Sequence, residues 1–138
     1  MATFKTRLIA YLAGDTAITT IVGSRMYTGA VPQSITSDFL KVQRISQNIW
    51  NNLGGTDNIY KERWQIDCVS KIDSTAETLS DAVIARLNMI QHNTSNFTGY
   101  TVYLIIQDNT NDVEEPVAEG SQQTYFIKQI DFIIKRTK

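Results

Sequence analysis

The segment from Tyr60 to Val69 constrains the fold more than any other. Tyr60, Glu62, Trp64, Ile66 and Cys68 alternate one for one with Lys61, Arg63, Gln65 and Asp67. A period of two places the first set on one face of a β-strand and the second on the other. One face is then fit for burial and the other for solvent or a polar partner, which is the pattern of a sheet covered on one side only. The segment is therefore a half-buried strand with a polar second face made of Lys61, Arg63, Gln65 and Asp67.

The rest of the chain supplies what can cover that sheet. Phe4, Leu8, Tyr11 and Leu12 recur at helical spacing, and Gly14 ends the stretch. Asp15 can cap a second short helix carrying Ile18, Ile21 and Val22, which Gly23 terminates. Ser74-Thr75-Ala76-Glu77 has the spacing of a capping box, and Ala76, Leu79, Val83, Leu87 and Ile90 form one apolar stripe, so a helix is expected there across the sheet. Further strands are expected at Arg25–Tyr27, Phe39–Gln47, Tyr100–Gln107 and Thr124–Lys135, the last two rich in β-branched and aromatic residues. The element order lacks regular βα alternation. The expected class is α+β: a mainly antiparallel four- to five-stranded sheet packed by a long helix and an N-terminal helix pair, in a single domain spanning residues 1–138.

Two connections carry strong turn chemistry. Asn51-Asn52-Leu53-Gly54-Gly55-Thr56-Asp57-Asn58 joins two strands. The segment 108–122 is acidic, holds Pro116 and Gly120, and is longer than an ordinary hairpin loop. Asn51, Asn52, Gly54, Gly55 and Asp57 in the first, and Asp112, Glu114, Glu115 and Glu119 in the second, are candidate docking residues.

Composition excludes several classes. Thirteen basic against fourteen acidic residues give a net charge of -1, without the excess of base that gripping phosphate requires. No apolar run approaches the roughly 20 residues of a membrane span, and no signal peptide is read at the N-terminus, so a soluble intracellular chain without membrane partners is expected. Cys68 and His92 are the only residues of their kinds, so an internal disulfide and multi-Cys/His zinc spacings fail by arithmetic. Cys68 falls in phase with Trp64 and Ile66 and reads as a buried thiol. His92 reads as a helix-end residue. Gly54-Gly55-Thr56 lacks the Gly-Lys-Ser/Thr of a phosphate loop, and Glu114-Glu115 lacks the fixed geometry of an acid–base pair. Neither catalytic residues nor a cofactor or metal are expected. The basic end Lys135-Arg136-Thr137-Lys138, with Lys128 nearby, reads as a solubilising tail. Nucleic-acid binding through that tail is one competing reading, and a small α+β ligand-binding domain or enzyme without a recognisable motif is the other.

The landmarks taken in order resemble one family. A helical start leads to Arg25-Met26-Tyr27, then Val31-Pro32-Gln33 and a strand; Arg63-Trp64-Gln65-Ile66-Asp67-Cys68 follows, then the helix Ala76–Ile90, and Gln129-Ile130-Asp131-Phe132 in the last strand. This order is similar to the tail-completion (tail-terminator) proteins of long-tailed bacteriophages, although Ser37-Asp38 stand where that pattern has a proline. The resemblance implies a structural protein of the virion, made in the host cytoplasm, with no enzymatic activity. It implies subunits, monomeric before assembly, that form a six-fold ring on the head-proximal end of the tail tube. Such a ring ends tube polymerisation and joins the tail to the head connector. Its partners are then further copies of itself, the major tail tube protein, the connector protein, and DNA passing through the lumen unread. Under that resemblance Lys61, Arg63, Gln65 and Asp67 are expected at a subunit interface or the lumen, and the two loops at docking surfaces.

Overall fold

A computed structural model describes residues 3–29, 31, 37–51, 58–116 and 124–137. Among these residues three helices, α1 (Phe4–Ala13), α2 (Thr16–Val22) and α3 (Asp73–Leu87), lie with six strands: β1 (Met26–Tyr27), β2 (Phe39–Asn51), β3 (Asn58–Ser70), β4 (Ile90–Asn93), β5 (Val102–Pro116) and β6 (Thr124–Thr137). The strands form one sheet in the order β1-β2-β3-β6-β5-β4. Every ladder is antiparallel except β1 with β2, which is parallel, so the sheet is mixed and has six strands, not the four or five expected.

The N-terminal helices form as the sequence implies. The Thr3 hydroxyl accepts from the Thr6 amide at 3.3 Å, and the Asp15 carboxylate accepts from the Ala17 amide at 2.9 Å, each satisfying a free donor at a helix start. Gly23 closes α2 at φ 59, a conformation that favours glycine. Arg86 of α3 ties the pair down: its Nε and Nη2 donate to the Tyr11 carbonyl at 3.0 and 2.9 Å, and its guanidinium lies 3.9 Å from the centre of the Tyr11 ring.

All three helices pack on the same face of the sheet. Phe4, Leu8, Leu12, Ile18, Val22, Leu79, Val83 and Leu87 meet Leu40, Val42, Trp64, Ile66, Cys68, Ile105, Ile130, Phe132 and Ile134 in one buried cluster. Full burial of each such side chain contributes roughly 1.5–3 kcal/mol before entropy is counted. Phe97, from the connection between β4 and β5, enters the same core, stacks on Phe4 with ring centres 5.7 Å apart and meets the Tyr11 ring at a tilt with centres 4.8 Å apart. The opposite face has one small cluster at one end, Phe39, Val69 and Ile127 with Tyr27, Val31, Val113 and Tyr125 against them.

Four expectations are corrected. The capping box is not made: α3 starts at Asp73, so Ser74 already sits inside the first turn, and the cap position falls on Ile72, which has no side-chain cap bond. The apolar stripe does not run to Ile90, because the chain leaves the helix at Asn88 and turns at Met89 with φ 65. Ile90–Asn93 then forms β4, and His92 is an exposed residue of that strand instead of a helix end. Last, residues 108–116 are not loop. They extend β5 and pair with β6 through Pro116 and Thr124, so Asp112, Glu114 and Glu115 are strand residues.

Candidate assembly surfaces

Glu62 and Arg63, neighbours on β3, open the two sides of the sheet. Glu62 points to the helix-covered face and is fully buried. Arg136, the penultimate residue of β6, comes level with Tyr60 in the ladder and reaches Glu62 with two bonds, Nε to Oε1 at 2.6 Å and Nη2 to Oε2 at 3.1 Å. Arg44 Nη1 at 3.1 Å, Gln47 Nε2 at 2.7 Å and Trp64 Nε1 at 3.2 Å also donate to the carboxylate. Burial by itself would raise the Glu62 pKa; the hydrogen bonds and charge of Arg136, with Trp64 and Arg44, reverse this and hold it below the usual carboxylate value. The Arg136 guanidinium lies among aromatic rings, 4.4 Å from Phe4, 5.1 Å from Tyr60 and 5.3 Å from Tyr100. Arg136 is therefore a core residue, and reading it as part of a solubilising or nucleic-acid-binding tail does not hold. Lys128 is also committed, bonding Asp73 of α3 at 3.1 Å and Asp112 of β5 at 3.2 Å.

This network floors a cleft of about 660 Å³ lined by Lys5, Arg44, Gln47, Tyr60, Tyr100 and Arg136 among others. Its carboxylate is saturated by donors, so Glu62 has no free lone-pair geometry for general-base work. Cys68 is fully buried, and burial together with the Asp67 charge raises its pKa far above that of a reactive thiol. Among the described residues no three His, Cys, Asp or Glu side chains converge as a metal site, and no helix is long and apolar enough to cross a membrane.

The other face is open. Lys61, Arg63, Gln65 and Asp67 share it and are partly exposed, in the arrangement that the alternation predicts. They are held in place. Arg63 Nη2 donates to Asp108 at 2.6 Å and Nη1 to Asp131 at 3.1 Å, spanning β3, β6 and β5. Asp108 reaches that far because the β5–β6 register shifts between Gln107 and Asn109, and the unpaired residue turns its carboxylate onto the face. The two acids raise the Arg63 pKa, Asp108 foremost. Gln65 Nε2 donates to Asp67 Oδ1 at 2.8 Å, and Lys41 lies opposite Asp67 on β2. Burial, helped by the charges of Asp131 and Glu115, still raises the Asp67 pKa against Gln65 and Lys41. On this face Lys61 and Lys135 stand opposite each other with Arg63 next to them, and Asp108, Asp131, Asp67 with Lys41, and Glu115 follow further along.

The sequence did not reveal the Glu62 network or the two acids that hold Arg63. The signal for the first was a lone Glu in phase with Trp64 and Ile66, which needs a buried cation, and Arg136 in phase with Ile134, Phe132 and Ile130. Of the docking candidates, Asn51 ends β2, and Asp112, Glu114 and Glu115 lie exposed on β5. Asn52, Gly54, Gly55, Asp57 and Glu119 lie outside the described residues.

Residues 6–91 match the protein family described as Tail completion protein gp17. The chain belongs to this family. It is a structural protein of the virion tail, not an enzyme. Over its whole length the chain superposes on the whole of a chain from the virion of a native gene transfer agent (GTA) particle, with a TM-score of 0.69 at 12% identity. At that identity the likeness is one of fold. No curated protein sequence matches the chain. Of the landmarks, Pro32 and Gln33 lie outside the described residues; Arg25 Nε donates to the Asp38 carbonyl at 2.7 Å and fixes the start of β2, where Ser37-Asp38 replace the expected proline.

Proposed function

We propose that copies of this chain form a ring on the head-proximal end of the tail tube, stopping further addition of tube subunits and offering the surface to which the head connector binds. The open sheet face is the observation that carries this reading. A sheet covered by three helices on one side and, among the described residues, open over most of the other, where it is polar and pinned by ion pairs, suits a subunit whose second face is completed by assembly. We assign Lys61, Arg63, Gln65 and Asp67 to the lumen of that ring. Four bases (Lys41, Lys61, Arg63, Lys135) balanced by four acids (Asp67, Asp108, Asp131, Glu115) give little net attraction to phosphate, so DNA passes without being held. The helices then form the outside.

The placement of the hairpins supports two docking surfaces. β2 and β3 join beyond the pair Asn51–Asn58, and β5 and β6 join beyond Pro116–Thr124. Because β3 and β6 are antiparallel, with Ile59 opposite Thr137 and Ser70 opposite Phe126, these two hairpins leave the sheet at opposite ends. In this reading one end, with Asn51, Asn52, Gly54, Gly55 and Asp57, meets one neighbour along the tail axis, and the other, with Asp112, Glu114, Glu115 and Glu119, meets the second. The test is electron microscopy of particles made without this chain. Tubes of excess, irregular length and heads lacking tails are expected; tubes of normal length joined to heads would overturn the reading.

A further inference from the structure

The sheet has two open edges, and they are complementary. β1 pairs with β2 only at Leu40 and Lys41, which leaves the edge of β2 away from β3 without a strand beside it from Val42 to Asn51 among the described residues. β4 pairs with β5 only up to Ile105, and the Gln107 amide is taken by the Asn88 side chain at 2.9 Å, which leaves β5 from Asp108 to Pro116 in the same condition. The two free stretches are of nearly equal length, and they lie on opposite sides of one sheet. Three antiparallel ladders separate β2 from β5, so the two strands run in opposite directions. Copies set side by side with their strands pointing the same way therefore bring β5 of one against β2 of the next as an antiparallel pair.

The side chains favour that pairing over others. Free β5 carries Asp108, Asp112, Glu114 and Glu115, all exposed. Two such edges would repel each other, the usual way a protein keeps an edge strand from pairing with its own kind. Free β2 carries Arg44, 46% exposed although one of its nitrogens bonds Glu62, lies next to Lys61 on β3, and exposes Ile45 and Ile49 at 49% each. An uncovered strand with two exposed isoleucines is a pairing site left open.

The geometry also closes. Asp112 is level with Lys128, Cys68 and Leu40 across the sheet. Matching the middles of the free stretches therefore shifts each copy by about six residues, or about 20 Å, along the strands. The repeating unit is four strands wide, about 19 Å at a spacing of about 4.8 Å. Those lengths correspond to a strand tilt of about 45°, at the upper end of the range of closed barrels. A heterologous contact of this kind makes a ring when the rotation closes.

We propose that the free β2 edge of one copy pairs antiparallel with the free β5 edge of the next, so that one sheet continues around the ring. This deepens the ring reading and rests on it. The test is disulfide cross-linking of the full-length chain in assembled particles. Asn48→Cys is combined in turn with Asn109→Cys, Asn111→Cys or Val113→Cys, positions on the open face of β2 and β5. At least one combination is expected to yield a ladder of covalent multimers ending at the ring, while each single variant yields none. In parallel, Glu114→Lys with Glu115→Lys is expected to abolish rings while circular dichroism of the subunit is unchanged. Rings that form with no combination cross-linked, or rings that survive the charge reversal, overturn the edge pairing and leave the ring standing. Particles in which the wild-type chain forms no ring overturn both.

Discussion

Glu62 and Arg63 are one peptide bond apart, and both are paired with opposite charge, yet their surroundings differ completely. Glu62 is fully buried on the helix-covered face, its carboxylate bonded by Arg136, Arg44, Gln47 and Trp64. Arg63 faces outward, its side chain 34% exposed, and its partners Asp108 and Asp131 remain partly open to water. A buried ion pair that loses one member leaves an uncompensated charge in the core, whereas an exposed pair is screened and adds little to folding. The comparison separates two tasks on one strand. The inner side chain specifies the fold, and the outer ones are held in place for a partner.

That contrast is broken most severely at Glu62. Glu62→Ala should cost about 3–5 kcal/mol in denaturant unfolding, because Arg136 is left buried without its carboxylate. Replacing both, Glu62→Leu with Arg136→Met, should recover much of the loss; a double variant as unstable as the single one would show that the pair does more than neutralise itself. Acid should act in the same place. The Glu62 pKa is lowered in the fold, so its stabilising contribution is present above the ordinary carboxylate range and is lost as pH falls through the lower, folded value. Unfolding measured below about pH 4 should therefore be steeper in the wild type than in the double variant.

At Arg63 the pattern should invert. Arg63→Glu with Asp67→Lys should leave the unfolding midpoint of the free subunit nearly unchanged and should reduce assembly and infectivity; unaltered infectivity would remove this face from the lumen and from subunit contacts. The smallest effect is expected at Asp67. Its pKa is raised by burial and neighbouring acids, so its contribution to stability is full below the ordinary aspartate value and declines as pH rises through the folded one. Asp67→Asn should thus stabilise the free subunit slightly at neutral pH and not at pH 3, as thermal unfolding at both values would register.

Much of the architecture was legible because local chemistry and tertiary structure agree there. The helix pair, the caps at Asp15 and Gly23, the alternation through β3 and the buried Cys68 all follow from residues within one element. What was hidden depended on partners far along the chain. Phe97 sits between Asn96 and Thr98 in a polar turn, and only the approach of Phe4 and Tyr11 makes it core. The imperfect alternation of Phe39–Gln47 has its cause in a register shift between Arg44 and Ser46, which leaves Ile45 as the extra residue. The strand at residues 108–116 was hidden because its acidic, turn-rich composition is that of a loop, and its order comes from β6 alongside. The polar row Lys61–Asp67 was visible in the sequence, while Asp108 and Asp131, which fix it, lie on other strands.

Electron cryomicroscopy of the assembled particle tests the central claim most directly. The account predicts a ring of these chains between tail tube and head connector, with Lys61, Arg63, Gln65 and Asp67 facing the channel and α1, α2 and α3 on the outside. A ring with the helices toward the DNA, or density for this chain anywhere other than the head-proximal end of the tube, would contradict it.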